Sequence, residues 1–162
     1  HAGQLPIYYN HKNTGRPIGE NDYGKFTSGY LDVTNAPLYP FGYGLTYTTF
    51  EMSDITLSSS QLPANGSLQA TVTLTNTGSR EATTIVQLYS HDLAASITRP
   101  VQELKGFQHV TLSPGQSQEV TFNVTPEMLK FYNAQLQYVY DPGDFDLMIG
   151  LKISRLGPFR LP

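Results

Sequence analysis

The sequence predicts an all-β fold, a two-sheet sandwich, preceded by an irregular segment crowded with aromatic residues. Three observations carry this. From Phe50 onward apolar and polar residues alternate with period two in several short runs, the pattern of half-buried strands. Clusters of Gly, Pro and Asn separate these runs. Residues 1–50 hold ten of the nineteen aromatics yet show almost no periodicity.

Bulk composition fits. At 162 residues the chain can bury one proper core and carry a smaller extra piece. It is 39% apolar and only 14% charged, which excludes disorder driven by self-repulsion. The net charge is −3 and the Lys and Arg residues are scattered singly, so no basic stripe offers itself to nucleic acid. No apolar run approaches the roughly 20 residues of a membrane span. The absence of cysteine excludes disulfides, thiolate catalysis and Cys-based zinc sites.

Taken in order, His1-Ala2-Gly3-Gln4-Leu5-Pro6-Ile7-Tyr8-Tyr9-Asn10 reads as the end of a strand entering a loop with no upstream partner. The expectation is a chain that starts inside something larger. A long aromatic loop follows. The density of large rings predicts that it docks rather than hangs free, because so many exposed aromatics invite association. Residues Pro37 to Phe50, PLYPFGYGLTYTTF, combine prolines, close-spaced glycines and five aromatics. Proline removes backbone donors and glycine weakens regular structure, so this run is neither a helix nor a central strand but a rigid connector.

Strands are expected near 55–58, at Leu68–Thr75 (Leu68, Ala70, Val72 and Leu74 on one face), near 84–89, at 120–124, near 137–140, at 144–149 and near 159–161. In the 144–149 run, Phe145, Leu147 and Ile149 face the core and Asp144, Asp146 and Met148 face solvent. Turns fall at Pro63–Gly66, Asn76–Gly78, Ser113–Gly115 and Asp141–Gly143. One helical turn is expected, with Thr125 as cap, Pro126 first and Glu127 favouring the dipole. About seven short strands point to an immunoglobulin or fibronectin-III sandwich; without Cys or Trp hallmarks the fibronectin-like variety is preferred.

Candidate chemistry is sparse. Gly42-Tyr43-Gly44 lacks the third glycine of a dinucleotide fingerprint, Tyr47 standing in its place, and no βαβ unit follows. His1, His11, His91 and His109 have no metal-ligand spacing, and His91-Asp92 reads as a solvated loop pair. Asp144 and Asp146 are spaced for two glycosidase carboxyls, but solvent exposure would leave neither tuned for acid catalysis. No GxSxG elbow occurs. The residues therefore predict no catalytic site, no cofactor and no metal.

Several segments, in order, resemble the C-terminal part of glycoside hydrolase family 3 enzymes of the bacterial periplasmic type. They are Gly3-Gln4-Leu5-Pro6 with Tyr9-Asn10, Asn13–Pro17, Tyr30-Leu31-Asp32, PLYPFGYGLTY, Val72–Gly78, Val86–Tyr89, Arg99–Phe107, Leu112–Gly115 and Pro142–Phe145. The resemblance implies residues 1–49 as the end of the α/β sandwich domain plus connector, and residues 50–162 as a fibronectin type III-like domain. It further implies a retaining β-glucosidase acting on terminal β-glucosyl or related residues, periplasmic or secreted. Its nucleophile Asp and acid/base Glu would lie upstream of His1, so that no residue here is catalytic. The implied partner is the rest of the hydrolase, in the same chain or as a separate subunit; a homodimer is left open. The segment would stabilise and assemble the enzyme. The Asn10–Tyr30 loop, with Tyr23 and Tyr30, or the His91–Arg99 loop would shape the substrate entrance. The rival reading is a free-standing carbohydrate-binding or adhesion module, with Tyr89, Tyr138 and Tyr140 as the only members of an exposed strip.

Overall fold

The computed structural model describes residues 3–13, 15–16, 26–30, 32–151 and 156–161. Among these residues there are ten strands and one helical turn: β1 (Phe50–Met52), β2 (Thr56–Leu57), β3 (Leu68–Asn76), β4 (Ala82–Asp92), β5 (Glu103–Leu112), β6 (Ser117–Val124), α1 (Pro126–Leu129), β7 (Phe131–Tyr132), β8 (Tyr138–Val139), β9 (Gly143–Gly150) and β10 (Leu156–Leu161).

The strands build two antiparallel sheets. In the first, β3 is central; β6 lies on one edge, and β1 and β2 share the other. The second runs β10-β9-β4-β5. The hairpin β7–β8 stands apart as its own small sheet. With β1 and β2 counted as one interrupted strand this is a seven-stranded sandwich, but the strand expected near 137–140 falls on β8, outside it, and β5 takes its place.

Alternation in the sequence dictates the core. Leu68, Ala70, Val72 and Leu74 of β3 and Val120, Phe122 and Val124 of β6 turn inward from the first sheet. They meet Val86 and Leu88 of β4, Val110 and Leu112 of β5, Phe145, Leu147 and Ile149 of β9, and Phe159 and Leu161 of β10. Phe145 and Phe159 are direct cross-strand partners, and their rings stack with centroids 5.4 Å apart. Burying each such side chain contributes about 1.5–3 kcal/mol. On the outward faces hydroxyls pair in register: Thr71 with Thr121 at 2.9 Å, Thr75 with Ser117 at 2.8 Å, and Thr83 with Thr111 at 2.7 Å. These are cross-strand contacts of the kind that stabilise a sheet on its wet side.

The punctuation behaves as its chemistry requires. Gln116 donates its backbone N–H to Ser113 O across Pro114-Gly115, and Gly115 has φ +76°, the left-handed value demanded at the third position of a type II turn. At Asn76 the side chain closes the turn from inside. It is fully buried; Nδ2 donates to Arg80 O and Leu112 O, both at 2.8 Å, and Oδ1 accepts from Gly78 N and from Thr48 Oγ1.

Several expectations need correction. Residues 5–8 form no strand; Pro6 has no N–H to offer a ladder and the Leu5 N–H donates to the Tyr30 hydroxyl instead. Strand β5 was unmarked, because Lys105-Gly106-Phe107-Gln108-His109 does not alternate. Two features break it: Phe107 is exposed while Gln108 is half-buried, and β4 and β5 slip register between Leu88 and Tyr89, so Leu88 faces Gly106 while Tyr89 faces Leu104. His91 and Asp92 end β4 rather than lying in a loop. Met148 is buried, not solvent-facing. The helical turn α1 forms with Pro126 first, but Thr125 makes no side-chain cap bond.

Candidate functional site

Strand β4 shows what happens to the outer face of the second sheet. Its first residues, Ala82 to Ile85, alternate in burial, but Val86, Gln87, Leu88, Tyr89 and Ser90 are all buried. A strand buried on both faces needs a cover on each. The inner cover is the core. The outer cover is the aromatic N-terminal segment, which lies on the sheet as a third layer.

The contacts are specific. Tyr9 stacks on Phe41, with centroids 4.1 Å apart and planes 18° from parallel, and meets the Tyr89 ring edge-on at 6.2 Å. Such aromatic pairs contribute about 0.5–1.5 kcal/mol beyond area burial. Gln87 donates from Nε2 to Gly42 O at 3.1 Å and accepts at Oε1 from the Tyr89 hydroxyl. Gln102 Nε2 donates to Tyr9 O at 2.9 Å, and Val101 N to His11 O at 2.9 Å. Burial, and secondarily Tyr9, raises the Tyr89 phenol above its ordinary value, so the hydroxyl stays a donor. The connector is therefore not a tail. Its proline and glycine content lets the chain turn at Pro40-Phe41-Gly42-Tyr43, where Tyr43 N donates to Pro40 O at 3.0 Å.

The other face of this layer is open. Leu5, Tyr8, Phe26, Leu38, Tyr39, Leu45 and Tyr47 are all exposed, several of them more than three-quarters. A broad groove of about 1190 Å³ runs between Leu5–Asn13, Ser28–Tyr30 and Asn35–Phe41. Its wall is fastened internally: Leu5 N donates to the Tyr30 hydroxyl at 2.7 Å, Tyr30 N to Asn35 Oδ1 at 3.1 Å, and Gln4 Nε2 to Thr34 O at 2.7 Å.

The described start of the Asn10–Tyr30 loop meets the chain just past the His91–Arg99 loop. Lys12 and Pro100 form an isolated antiparallel bridge, joining the Asn10–Tyr30 region to the segment after β4. Tyr30 is half-buried in the groove wall; Tyr23 lies outside the described residues. Beyond the bridge a charged cluster closes the end of the second sheet. Arg99 donates from Nη2 to Glu103 Oε2 at 2.6 Å and lies over the Phe131 ring at 4.3 Å. Lys105 Nζ approaches the same carboxylate at 3.5 Å, and burial depresses its pKa. Asp92 accepts from Ala94 N, and Asp141 accepts from Ser96 N at 2.7 Å, pinning the loop between them. Burial raises the Asp92 carboxyl, aided by the charge of Asp141 against the opposing pull of Arg99.

None of this is a hydrolytic pair. Asp144 is exposed and 3.7 Å from Arg160 Nε, and Asp146 is half-buried on β9. Among the described residues no group of His, Asp or Glu is placed to hold a metal. Of the expected strip, Tyr89 is in the sheet's outer interface and Tyr140 packs half-buried against the core, leaving only Tyr138 exposed. A different pair occupies the surface: Tyr132 and Tyr138, directly opposite one another in the β7–β8 hairpin, with ring centroids 5.0 Å apart. Tyr132 escaped sequence reading because a two-residue strand leaves no period to find.

Residues 84–152 match the model of the fibronectin type III-like domain. Over 99% of its length the chain is 50% identical to the periplasmic beta-glucosidase of Salmonella typhimurium, and over 92% it is 38% identical to a beta-xylosidase of Formosa agariphila. A crystal structure of beta-glucosidase from Listeria innocua in complex with glucose superposes with a TM-score of 0.91 at 40% identity, covering 98% of the chain. The chain is a homologue of the C-terminal part of β-glucosidases. It spans about a fifth of the length of these relatives: 21% and 20% of the two sequences and 22% of the solved chain. Because the likeness to the β-glucosidase structure runs over nearly the whole chain, the aromatic layer belongs to it as much as the sandwich does.

Proposed function

We propose that the chain is the C-terminal part of a retaining family 3 β-glucosidase, in which it fastens the fibronectin-like sandwich to the catalytic body. The observation that carries this is the two-sided aromatic layer. One side is bound to Gln87, Tyr89 and Gln102 of the sandwich; the other presents an apolar groove to a neighbour. Monomeric surfaces rarely leave so contiguous an apolar area bare. In this reading residues 1–49 end the α/β sandwich domain and serve as connector, and residues 50–162 form the fibronectin-like domain. The substrate is a terminal β-D-glucosyl or related glycosyl residue, and the carboxylates that cleave it belong to the part of the relatives that this chain does not span. Retention would proceed through a covalent glycosyl-enzyme intermediate. The name of the Salmonella relative supports a periplasmic setting.

The test is activity and mass together. The 162-residue chain alone is expected to leave an aryl β-glucoside uncleaved. Native mass spectrometry of the purified source protein should find these residues in a particle several times larger than 17.9 kDa that does cleave it. A lone 17.9 kDa species, with all β-glucosidase activity in particles lacking this sequence, would overturn the reading.

A further inference from the structure

The groove on the open side of the aromatic layer holds one fixed charge. Of the described residues that line it, Lys12 alone is a permanent ion; the others are apolar, aromatic, amide, hydroxyl or imidazole side chains, and none is a carboxylate. Lys12 enters no ion pair among the described residues. Its backbone is firmly anchored. Lys12 bridges to Pro100, and just before it Val101 N donates to His11 O and Gln102 Nε2 to Tyr9 O, both at 2.9 Å. The main chain that carries this charge is thus fixed to the sandwich.

Other polar groups in the wall are spent on one another. Asn35 uses both ends of its amide: Oδ1 accepts from Tyr30 N and Nδ2 donates to Ser28 O, both at 3.1 Å. The Tyr30 oxygen accepts from Leu5 N, which leaves its O–H to donate. The lining therefore offers two strong donors, an ammonium and a phenol O–H, and no negative charge to meet them. An exposed lysine contributes little while water solvates it. A cover changes that. When an apolar neighbour closes the groove, the ammonium loses water, and it is stabilised only by an opposite charge or by reaching past the rim on its own stem.

We propose that the occupant of this groove is an apolar segment of the catalytic body that carries an aspartate or glutamate, and that its carboxylate pairs with Lys12. The proposal rests on the reading above, that the groove seats that body, and adds the chemistry of the contact. The apolar part lies against Leu5, Tyr8 and Tyr39. The ion pair sets register and orientation, which is what charges at an interface supply more than raw affinity.

The test is zero-length cross-linking of the intact source enzyme with a water-soluble carbodiimide. The reagent activates a carboxylate, the lysine amine attacks it and releases the reagent as a urea, and the amide that forms joins only groups already in contact. Peptide mass spectrometry should find Lys12 joined to an aspartate or glutamate outside the 162 residues. Lys12→Glu should abolish that product and lower the thermal midpoint of the intact enzyme. Exchanging the identified acid for lysine in the same variant should restore both, with the amide formed in the opposite sense. An unchanged midpoint for Lys12→Glu, or Lys12 joined only to carboxylates within the 162 residues, overturns the pair. Hydroxyl-radical labelling of Tyr8 and Tyr39, 69% and 66% exposed in the chain, reads the groove separately. If both are protected in the intact enzyme, the seating stands even where the pair fails. If both are labelled as readily as in the urea-unfolded enzyme, the groove is open and the seating falls together with the proposal.

Discussion

Gln87 and Gly42, forty-five residues apart, are joined by a hydrogen bond from Nε2 to the glycine carbonyl at 3.1 Å, and the glycine's missing side chain is what lets them meet. A Cβ built on Gly42 would lie 2.1 Å from Gln87 Oε1, and φ there is +79°. Gly42→Ala is therefore doubly penalised, by backbone strain and by collision with a buried amide. A loss of about 2–5 kcal/mol is expected, the sum of a left-handed residue and an overpacked contact. Urea unfolding monitored by circular dichroism measures it; an unchanged midpoint would mean the connector does not seat on β4.

The same layer predicts the behaviour of Tyr9. If it is part of the fold, Tyr9→Ala removes a stacked partner from Phe41 and an edge contact from Tyr89. A loss of about 1–3 kcal/mol and a lower thermal midpoint are expected, somewhat less than the roughly 2–5 kcal/mol of Leu88→Ala in the core. A mobile tail would give no change in midpoint, which differential scanning calorimetry distinguishes directly.

Asn76 should be the most sensitive polar position in the sandwich. It is fully buried and bonded at both ends of its amide. Asn76→Ala strands the carbonyl of Leu112 and the N–H of Gly78 without partners, at about 1–3 kcal/mol for each group left unsatisfied. Asn76→Asp keeps the acceptor but turns a carboxylate toward two carbonyl oxygens. Its stability should therefore fall further as pH rises, whereas that of Asn76→Ala should run parallel to the parent chain. Guanidinium unfolding across pH resolves the two.

Asp92 gives a second pH signature with a defined sign. Its carboxyl is raised above the ordinary 3.8, chiefly by burial. A group whose folded pKa exceeds its unfolded value binds its proton more tightly when folded. That contribution is present in full below the unfolded pKa and is lost as pH rises through the folded one. Asp92→Asn keeps an acceptor for Ala94 N and cannot ionise. The difference in thermal midpoint between Asp92→Asn and the parent chain should therefore grow in the variant's favour from about pH 4 upward and then level off. A difference independent of pH would mean that Asp92 is not desolvated.

The sandwich was legible because burial on one face writes period two into a strand: Leu68 to Leu74 and Val120 to Val124 could be assigned face by face. What resisted reading breaks that rule for a physical reason. In β5 an exposed Phe107 beside a half-buried Gln108, with a bulge opposite Leu88 and Tyr89, breaks the apolar pattern, and the aromatic layer buries the second face of β4, turning Tyr89 from expected surface into interface. The resemblance to hydrolase segments identified the connector, but not what it touches. Contact between Tyr9 and Tyr89 spans eighty residues, and no local pattern encodes it. The hairpin pair was half seen: Tyr138 stands in a recognisable run, whereas Tyr132 is paired only by a tight turn.

The third layer also bears on how these proteins exchange parts. A boundary drawn at Phe50 divides the chain by composition, but Tyr9, Phe41 and Gly42 on one side share a buried surface with Gln87 and Tyr89 on the other. A chimera that grafts a relative's sandwich at residue 50 would inherit mismatched halves of that surface. One grafted upstream of Gly3 would carry both. Recombination among such enzymes should therefore tolerate crossovers before the connector far better than within it, and substitutions at positions 9, 42, 87 and 89 should arise in concert rather than singly.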